Sequence, residues 1–140
     1  MSILSTLVPV AAIVLTTACL RPRPAAGTAG EAATGAALFA RHCALCHGDT
    51  GHGDGRRSAS LTVAPSDLTS LARRNGGVFP EARVTRTIDG RNTVEGHGGA
   101  GMPVWGDAFL EPGDGYDRAT AKAKIAQLTR YLATIQSPAP

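Results

Sequence analysis

The sequence predicts an all-α fold of three to five short helices joined by long glycine-rich loops. Three observations predict it. Apolar residues recur at helical spacing in two segments: Phe39, Cys43 and Cys46 at i, i+4 and i+7, and later Ile125, Leu128, Leu132 and Ile135. No stretch has the alternation a half-buried strand requires, and no internal repeat is visible. Glycine (17) and proline (9) are plentiful among the 140 residues and break the remainder into loop. One tension remains. Aromatic residues make up only 4% of the chain, so its own core is thin. A buried apolar cofactor would supply the missing packing surface.

Residues 1–19 read as an export signal. Met1 to Ala18 carries no charged side chain, is mostly apolar, and is too short to predict a spanning helix. No Lys or Arg precedes the apolar run. Thr16-Thr17-Ala18-Cys19 resembles the site at which bacterial lipoproteins are cleaved and acylated on cysteine, although Leu15 stands one place further back than in that family. Lipidation of Cys19, cleavage nearby and an uncleaved anchor are all open here. A single acyl chain gives only marginal membrane binding. Residues 20–34, rich in Pro, Ala, Gly and Thr without periodicity, read as a flexible linker, and residues 35–137 as the folded domain.

Within that domain, Thr34 is placed to cap a helix from Gly35 to Cys46, which Gly48 can stop. Gly48 to Gly55 is a polar loop. Ser66 or Asp67 can cap a short helix through Arg73 and Arg74, broken by Asn75-Gly76-Gly77. Pro80 opens another, through Val84 and Ile88 to Gly90. Glu95 to Gly106 reads as a glycine-rich loop. A last helix runs from Ala119 to Ile135.

The formal net charge is +3, from 14 basic and 11 acidic side chains. No Lys/Arg run interleaved with aromatics marks a nucleic-acid surface, so nucleic acid is not an expected partner. A mixed solvated surface accounts for the count; a weak basic face would also steer an acidic redox partner. No paired carboxylates, Ser/His/Asp set or phosphate loop stands out as an independent active site.

Cys43-Ala44-Leu45-Cys46-His47 is the strongest chemical signal. Two thiols three residues apart on a helical turn can both bond the vinyl groups along one haem edge, and the next residue then reaches the iron. C-x-x-C-H thus reads as covalent attachment of one haem c, with His47 as an axial ligand. The alternatives carry less. A thioredoxin-like pair needs a βαβ context, a structural zinc needs four ligands, and a plain disulfide leaves His47 unexplained. The second axial ligand must come from elsewhere. Apart from Met1, the chain has one methionine, Met102, in Gly101-Met102-Pro103-Val104-Trp105-Gly106. A thioether favours ferrous iron and raises the potential; the alternative for a lone Met is gap-filling core. His97 is the rival ligand, whereas His42 should point off the haem face and His52 sits in a polar loop.

These residues resemble the class I cytochrome c family over about residues 35 to 136. Gly35-x-x-Leu38-Phe39-x-x-x-Cys43-x-x-Cys46-His47-Gly48 is similar to that family's opening helix, and Leu128-x-x-Tyr131-Leu132 to its closing helix. The resemblance implies that the two helices cross, with Gly35 allowing close approach and Phe39 filling the junction against Leu128 and Tyr131. The stretch from Gly76 to Pro80 and the run from Met102 to Phe109 look like those of short periplasmic monohaem cytochromes. Many relatives carry Gly-Pro after the haem site, near the carbonyl that accepts the histidine ring N–H. Here the loop reads Gly55-Arg56-Arg57, so the acceptor is expected to be a backbone carbonyl between Arg56 and Pro65. The resemblance also implies that Trp105 and an arginine (Arg56, Arg57, Arg73, Arg74 or Arg86) hydrogen-bond the haem propionates; plain core packing is the alternative for Trp105.

The expected function is single-electron transfer between redox protein partners, in the periplasm or tethered to a membrane through Cys19. Two other functions stay open: a haem subunit of a larger dehydrogenase or oxidase, and a haem enzyme or gas sensor with a displaceable Met102.

Overall fold

Helical propensity sets the start of the fold. The computed structural model describes residues 29–90, 102–110 and 117–138. Helix α1, Ala29–His42, begins before the expected cap. Thr34 lies inside it, and its hydroxyl donates to the carbonyl of Gly30 at 2.9 Å. This i−4 bond satisfies the side chain within the helix, and the alanine-rich stretch around it favours helix. Residues 29–34, assigned above to the linker, therefore belong to α1. The predicted single helix from Gly35 to Cys46 is interrupted at Cys43, after which α2 spans Ala44–His47. Gly48 ends α2 at φ +80°, a backbone conformation that favours glycine.

Helix α5, Arg118–Thr134, lies within one residue of the expected span, and Asp117 caps it by accepting from Ala119 N at 3.0 Å. Its stripe of Ala121, Ile125, Leu128 and Leu132 is buried, with Ile135 packed at the edge. Its most extensive partner is α1. Gly35 sits where they meet: a Cβ there would strike the carbonyl oxygen of Gln127 and come within 2.8 Å of Tyr131 Cβ. Phe39, 1% exposed, fills the junction with its ring 5.3 Å from that of Tyr131. Gly35, Phe39 and Tyr131 meet as the resemblance implies, and Leu128 is buried in the same apolar cluster.

Between α2 and the next long helix, the expected helix through Arg74 is instead two single 3-10 turns, Leu68–Ser70 and Arg73–Asn75. The reason is local competition for backbone groups. Asp67 accepts from Thr69 N at 2.8 Å and Thr69 Oγ1 at 2.7 Å, and Ser70 Oγ donates to Asp67 O at 3.2 Å. From the other end of the chain, Gln136 accepts from Ala72 N at 2.9 Å and donates to Leu68 O at 2.8 Å. These bonds replace an α ladder.

Helix α3, Glu81–Asp89, follows Pro80 and closes at Gly90 as predicted, turning Val84 and Ile88 inward. The expected loop to Gly106 ends sooner, because Trp105–Ala108 forms the short helix α4. Trp105 and Phe109, four residues apart, place their rings 5.2 Å from each other, and this packing fixes the turn. Among the described residues no strand occurs, and no helix is long and apolar enough to cross a membrane. The fold is all-α.

Candidate functional site

The break at Cys43 is what presents the C-x-x-C-H residues. The Cys43 N–H still bonds to Phe39 O at 2.8 Å, while its carbonyl accepts from Cys46 N at 3.1 Å and His47 N at 2.9 Å. One tight turn thus carries both cysteines and the histidine. Both thiols are free and half-buried. Burial, reinforced by the neighbouring Cys46, pushes the Cys43 thiol up to about 12.

His47 is buried. Its Nδ1 lies 3.1 Å from the carbonyl oxygen of Ser66. A carbonyl can only accept, so Nδ1 carries the proton and Nε2 keeps its lone pair for a metal. Burial lowers the His47 pKa, against a smaller opposing effect of the Ser66 carbonyl. The ring is therefore neutral at pH 7, as ligation requires. The acceptor is one residue beyond the expected range of Arg56 to Pro65. The loop after α2 explains this. Gly55 N and Arg57 N bond back to Cys46 O and Leu45 O at 3.1 and 2.9 Å. The chain returns beneath the imidazole only at Ser66, where the Asp67 turn holds it.

Beside this histidine lies an apolar cavity of about 330 Å³. Cys43, His47, Met102 and Trp105 all reach its wall, from two separate stretches of chain. The rest is apolar apart from Ser66, Arg83 and Thr87, with side chains such as Phe39, Leu68 and Ile88. Cys46, the fifth expected site residue, sits on the same turn outside this lining. Trp105 does two things. Its ring packs against His42 at 5.2 Å and Phe109 at 5.2 Å, and its indole Nε1 is buried without a hydrogen-bond partner. A buried orphan donor on a cavity wall is costly unless a ligand accepts from it. These residues fit a haem: thiols for its vinyl groups, imidazole and thioether for its iron, an indole N–H for its carboxylates, and apolar walls for its ring.

Sequence reasoning missed Arg83. None of the five arginines proposed for the propionates lines the cavity, whereas Arg83 does. Arg74 instead donates to Ser70 Oγ and Asp67 O, bracing the turn below His47. The pattern of α3 carried the missing signal. Val84 and Ile88 are its buried pair, so Arg83 and Thr87, each one position earlier, flank the same face. His42 stays off the cavity, against Trp105 and Phe109. His52 is exposed, 3.6 Å from Asp67 Oδ1. Among the described residues no three His, Cys, Asp or Glu side chains gather as a metal-ion site. Residues 1–19 including Cys19, the linker to residue 28, and His97 lie outside the described residues.

No curated protein matches the chain. A family model described as cytochrome C oxidase, cbb3-type, subunit III, a c-type cytochrome domain, matches residues 30–121. That span runs from the first turns of α1 into α5 and includes Cys43, Cys46, His47, Met102 and Trp105. The chain is a c-type cytochrome and belongs to the cbb3-type cytochrome c oxidase subunit III family.

Proposed function

We propose that this domain carries single electrons on one haem c, bonded covalently through Cys43 and Cys46, with His47 and Met102 as axial ligands. The family membership gives the coarser statement, haem-based electron transfer. One observation supports the finer reading: a single apolar cavity draws on Cys43, His47, Met102 and Trp105 at once. Bound there, haem supplies a reversible ferrous/ferric couple. The protein's part is to bind and tune. The Ser66 carbonyl orients His47, and Met102 offers a soft neutral donor that favours the ferrous state. Trp105 Nε1 and Arg83 meet the carboxylates, and the apolar wall excludes water. With both axial positions filled from the protein, substrate has no place on the metal, which favours a carrier over a haem enzyme or gas sensor.

The family description favours a second reading, a fixed haem relay within an oxidase complex. Either way the site of action is the periplasm, the compartment in which C-x-x-C-H chains are loaded, with Cys19 as the candidate lipid tether.

The test is spectroscopic. Protein matured with a haem-attachment system should keep its colour through denaturation and solvent extraction, and its ferric form should show the weak red-edge sulfur-to-iron band. A colourless extracted chain overturns covalent attachment; a high-spin ferric spectrum lacking that band overturns Met102. The mass of the mature amino terminus separates an acylated Cys19 from a diffusing carrier.

A further inference from the structure

Basic side chains cluster in the segment that borders the cavity. Residues 73–86 contain four of the fourteen basic side chains (Arg73, Arg74, Arg83 and Arg86) and one of the eleven acidic ones, Glu81. The remaining residues balance at ten of each sign. Residues 73–86 thus carry a local charge of +3; the other strongly basic stretch, residues 118–130, has four basic and no acidic side chains, and acidic residues elsewhere offset it.

The structure places this segment along the cavity. Leu71 just before it, Arg83 and Val84 within it, and Thr87 and Ile88 just after it form part of the cavity wall. Its two halves make one surface. Arg83 Nη2 reaches Asn75 Oδ1 at 3.5 Å, and Asn75 Nδ2 holds Val78 O at 2.8 Å. Arg86 is three residues from Arg83 on α3 and so stands beside it on the helix surface. All four arginines are exposed. At the tip between them, Val78 is 67% exposed, the most exposed large apolar side chain among the described residues. Gly76 and Gly77 beside it have open space around them. Arg73 and Arg86 are exposed and off the cavity wall, so their charge stays at the surface even where Arg83 is engaged by a haem carboxylate, whereas the Arg74 guanidinium is held by Ser70 Oγ and Asp67 O.

We infer that residues 73–86 are the docking face for an acidic redox protein, with Val78 as its apolar centre and the arginines as its steering rim. The inference rests on the proposed haem in this cavity, because an electron leaving it beside α3 emerges under this surface. Cations around a small apolar tip raise the encounter rate with an acidic partner by roughly 10- to 1,000-fold at low salt. An anionic lipid surface would satisfy the same charges. The position over the cavity favours a protein, because a membrane gains nothing from covering an electron exit.

The test uses the haem-loaded protein, its spectrum and potential recorded first. Electron transfer is timed by stopped flow with an acidic and with a basic blue-copper protein, across a range of salt. Transfer to the acidic partner should be fast at low salt and slow steeply as salt rises; transfer to the basic partner should show the opposite trend. Arg73→Glu with Arg86→Glu should reduce the low-salt rate with the acidic partner about tenfold or more, leaving spectrum and potential unchanged. Salt-independent rates, or an unaffected double variant, overturn the docking face. So does tight binding to phosphatidylglycerol vesicles combined with flat protein kinetics, which assigns the arginines to lipid. An absent sulfur-to-iron band defeats the Met102 ligation; a normal spectrum with flat kinetics defeats only the docking face.

Discussion

Gly35→Ala tests the α1–α5 crossing directly, because two opposed effects decide its sign. Alanine is the better helix former by about 1 kcal/mol, so without a neighbour the substitution would stabilise α1. The structure supplies a neighbour. The new Cβ would stand 2.8 Å from Tyr131 Cβ and run into the Gln127 carbonyl oxygen. Carbon atoms settle at about 3.5–4.0 Å, so the helices must part by about 1 Å, and a gap of that size forfeits a quarter to a half of each affected contact. Phe39 and Leu128, each 1% exposed, are the side chains that lose contact. A fixed backbone carbonyl cannot swing aside, which puts the strain near the upper end of about 1–3 kcal/mol for overpacked cores. Less the propensity gain, the net loss is about 2 kcal/mol. Urea unfolding of the haem-loaded protein, followed by circular dichroism, measures it. Ala37→Gly, at an exposed site on the same helix, isolates propensity and should cost about 1 kcal/mol. A Gly35→Ala protein as stable as the parent, or more stable, would refute the close approach.

Met102→Ala should retain covalent haem, lower the reduction potential and admit cyanide or carbon monoxide; an unchanged potential in voltammetry removes Met102 from the iron. Gln136→Ala deletes the bonds to Ala72 N, Leu68 O and Leu132 O. It should cost about 1–3 kcal/mol in urea unfolding through the groups left unpaired, and a neutral result would detach the 66–72 segment from α5. Cys43→Ala with Cys46→Ala should abolish covalent haem and cooperative unfolding together, so a sharp calorimetric transition in the colourless double variant contradicts the reading. Acidification has a defined sign. The folded state holds the His47 pKa below the ordinary 6.5, so below that pH the unfolded chain takes up a proton that the folded chain refuses. Stability from this group is complete above 6.5 and falls as pH drops toward the folded value, by up to about 1.4 kcal/mol per pH unit. A urea midpoint that stays flat between neutral and mildly acidic pH would argue against a buried neutral imidazole.

What the sequence made legible was whatever depends on period or covalent spacing. The stripe of α5, the Pro80–Gly90 limits of α3 and the clustering of Cys43 and His47 all follow from local rules. Composition even anticipated the cavity, since so few aromatic residues could not fill a core. The misses arise where side chains compete with the backbone or where contacts are distant. Thr34 has the chemistry of a cap but spends its hydroxyl on Gly30 O. The Asp67 turn defeats an α-helix because Gln136, 64 residues from Ala72, captures its backbone groups. Ser66 as the His47 partner depends on how the 55–57 loop folds back onto α2, which no pattern along the chain encodes. Arg83 was within reach of periodicity, one place before each of a buried i, i+4 pair.

The same geometry explains why so sparse a chain has a fold at all. Among the described residues, the nine buried apolar side chains include only two aromatics, Phe39 and Phe109. Five of them, Phe39, Val84, Ile88, Leu128 and Leu132, line a space of about 330 Å³. Left empty, a void of that volume costs about 8 kcal/mol by the cavity relation, an upper figure because it opens to solvent. The entire stability of a domain is only about 5–15 kcal/mol. A helix pair pinned at Gly35, a strap tied by Gln136 and a thin apolar shell cannot offset that loss alone. On the proposed reading haem removes the deficit by becoming the centre of the core, so the contacts that hold it are largely those that hold the protein. Fold and redox tuning are then coupled. A change at Ser66 or Trp105 that shifts the potential should also shift stability, whereas substitutions at Arg73 and Arg86, off the cavity wall, should alter partner encounter and leave both untouched.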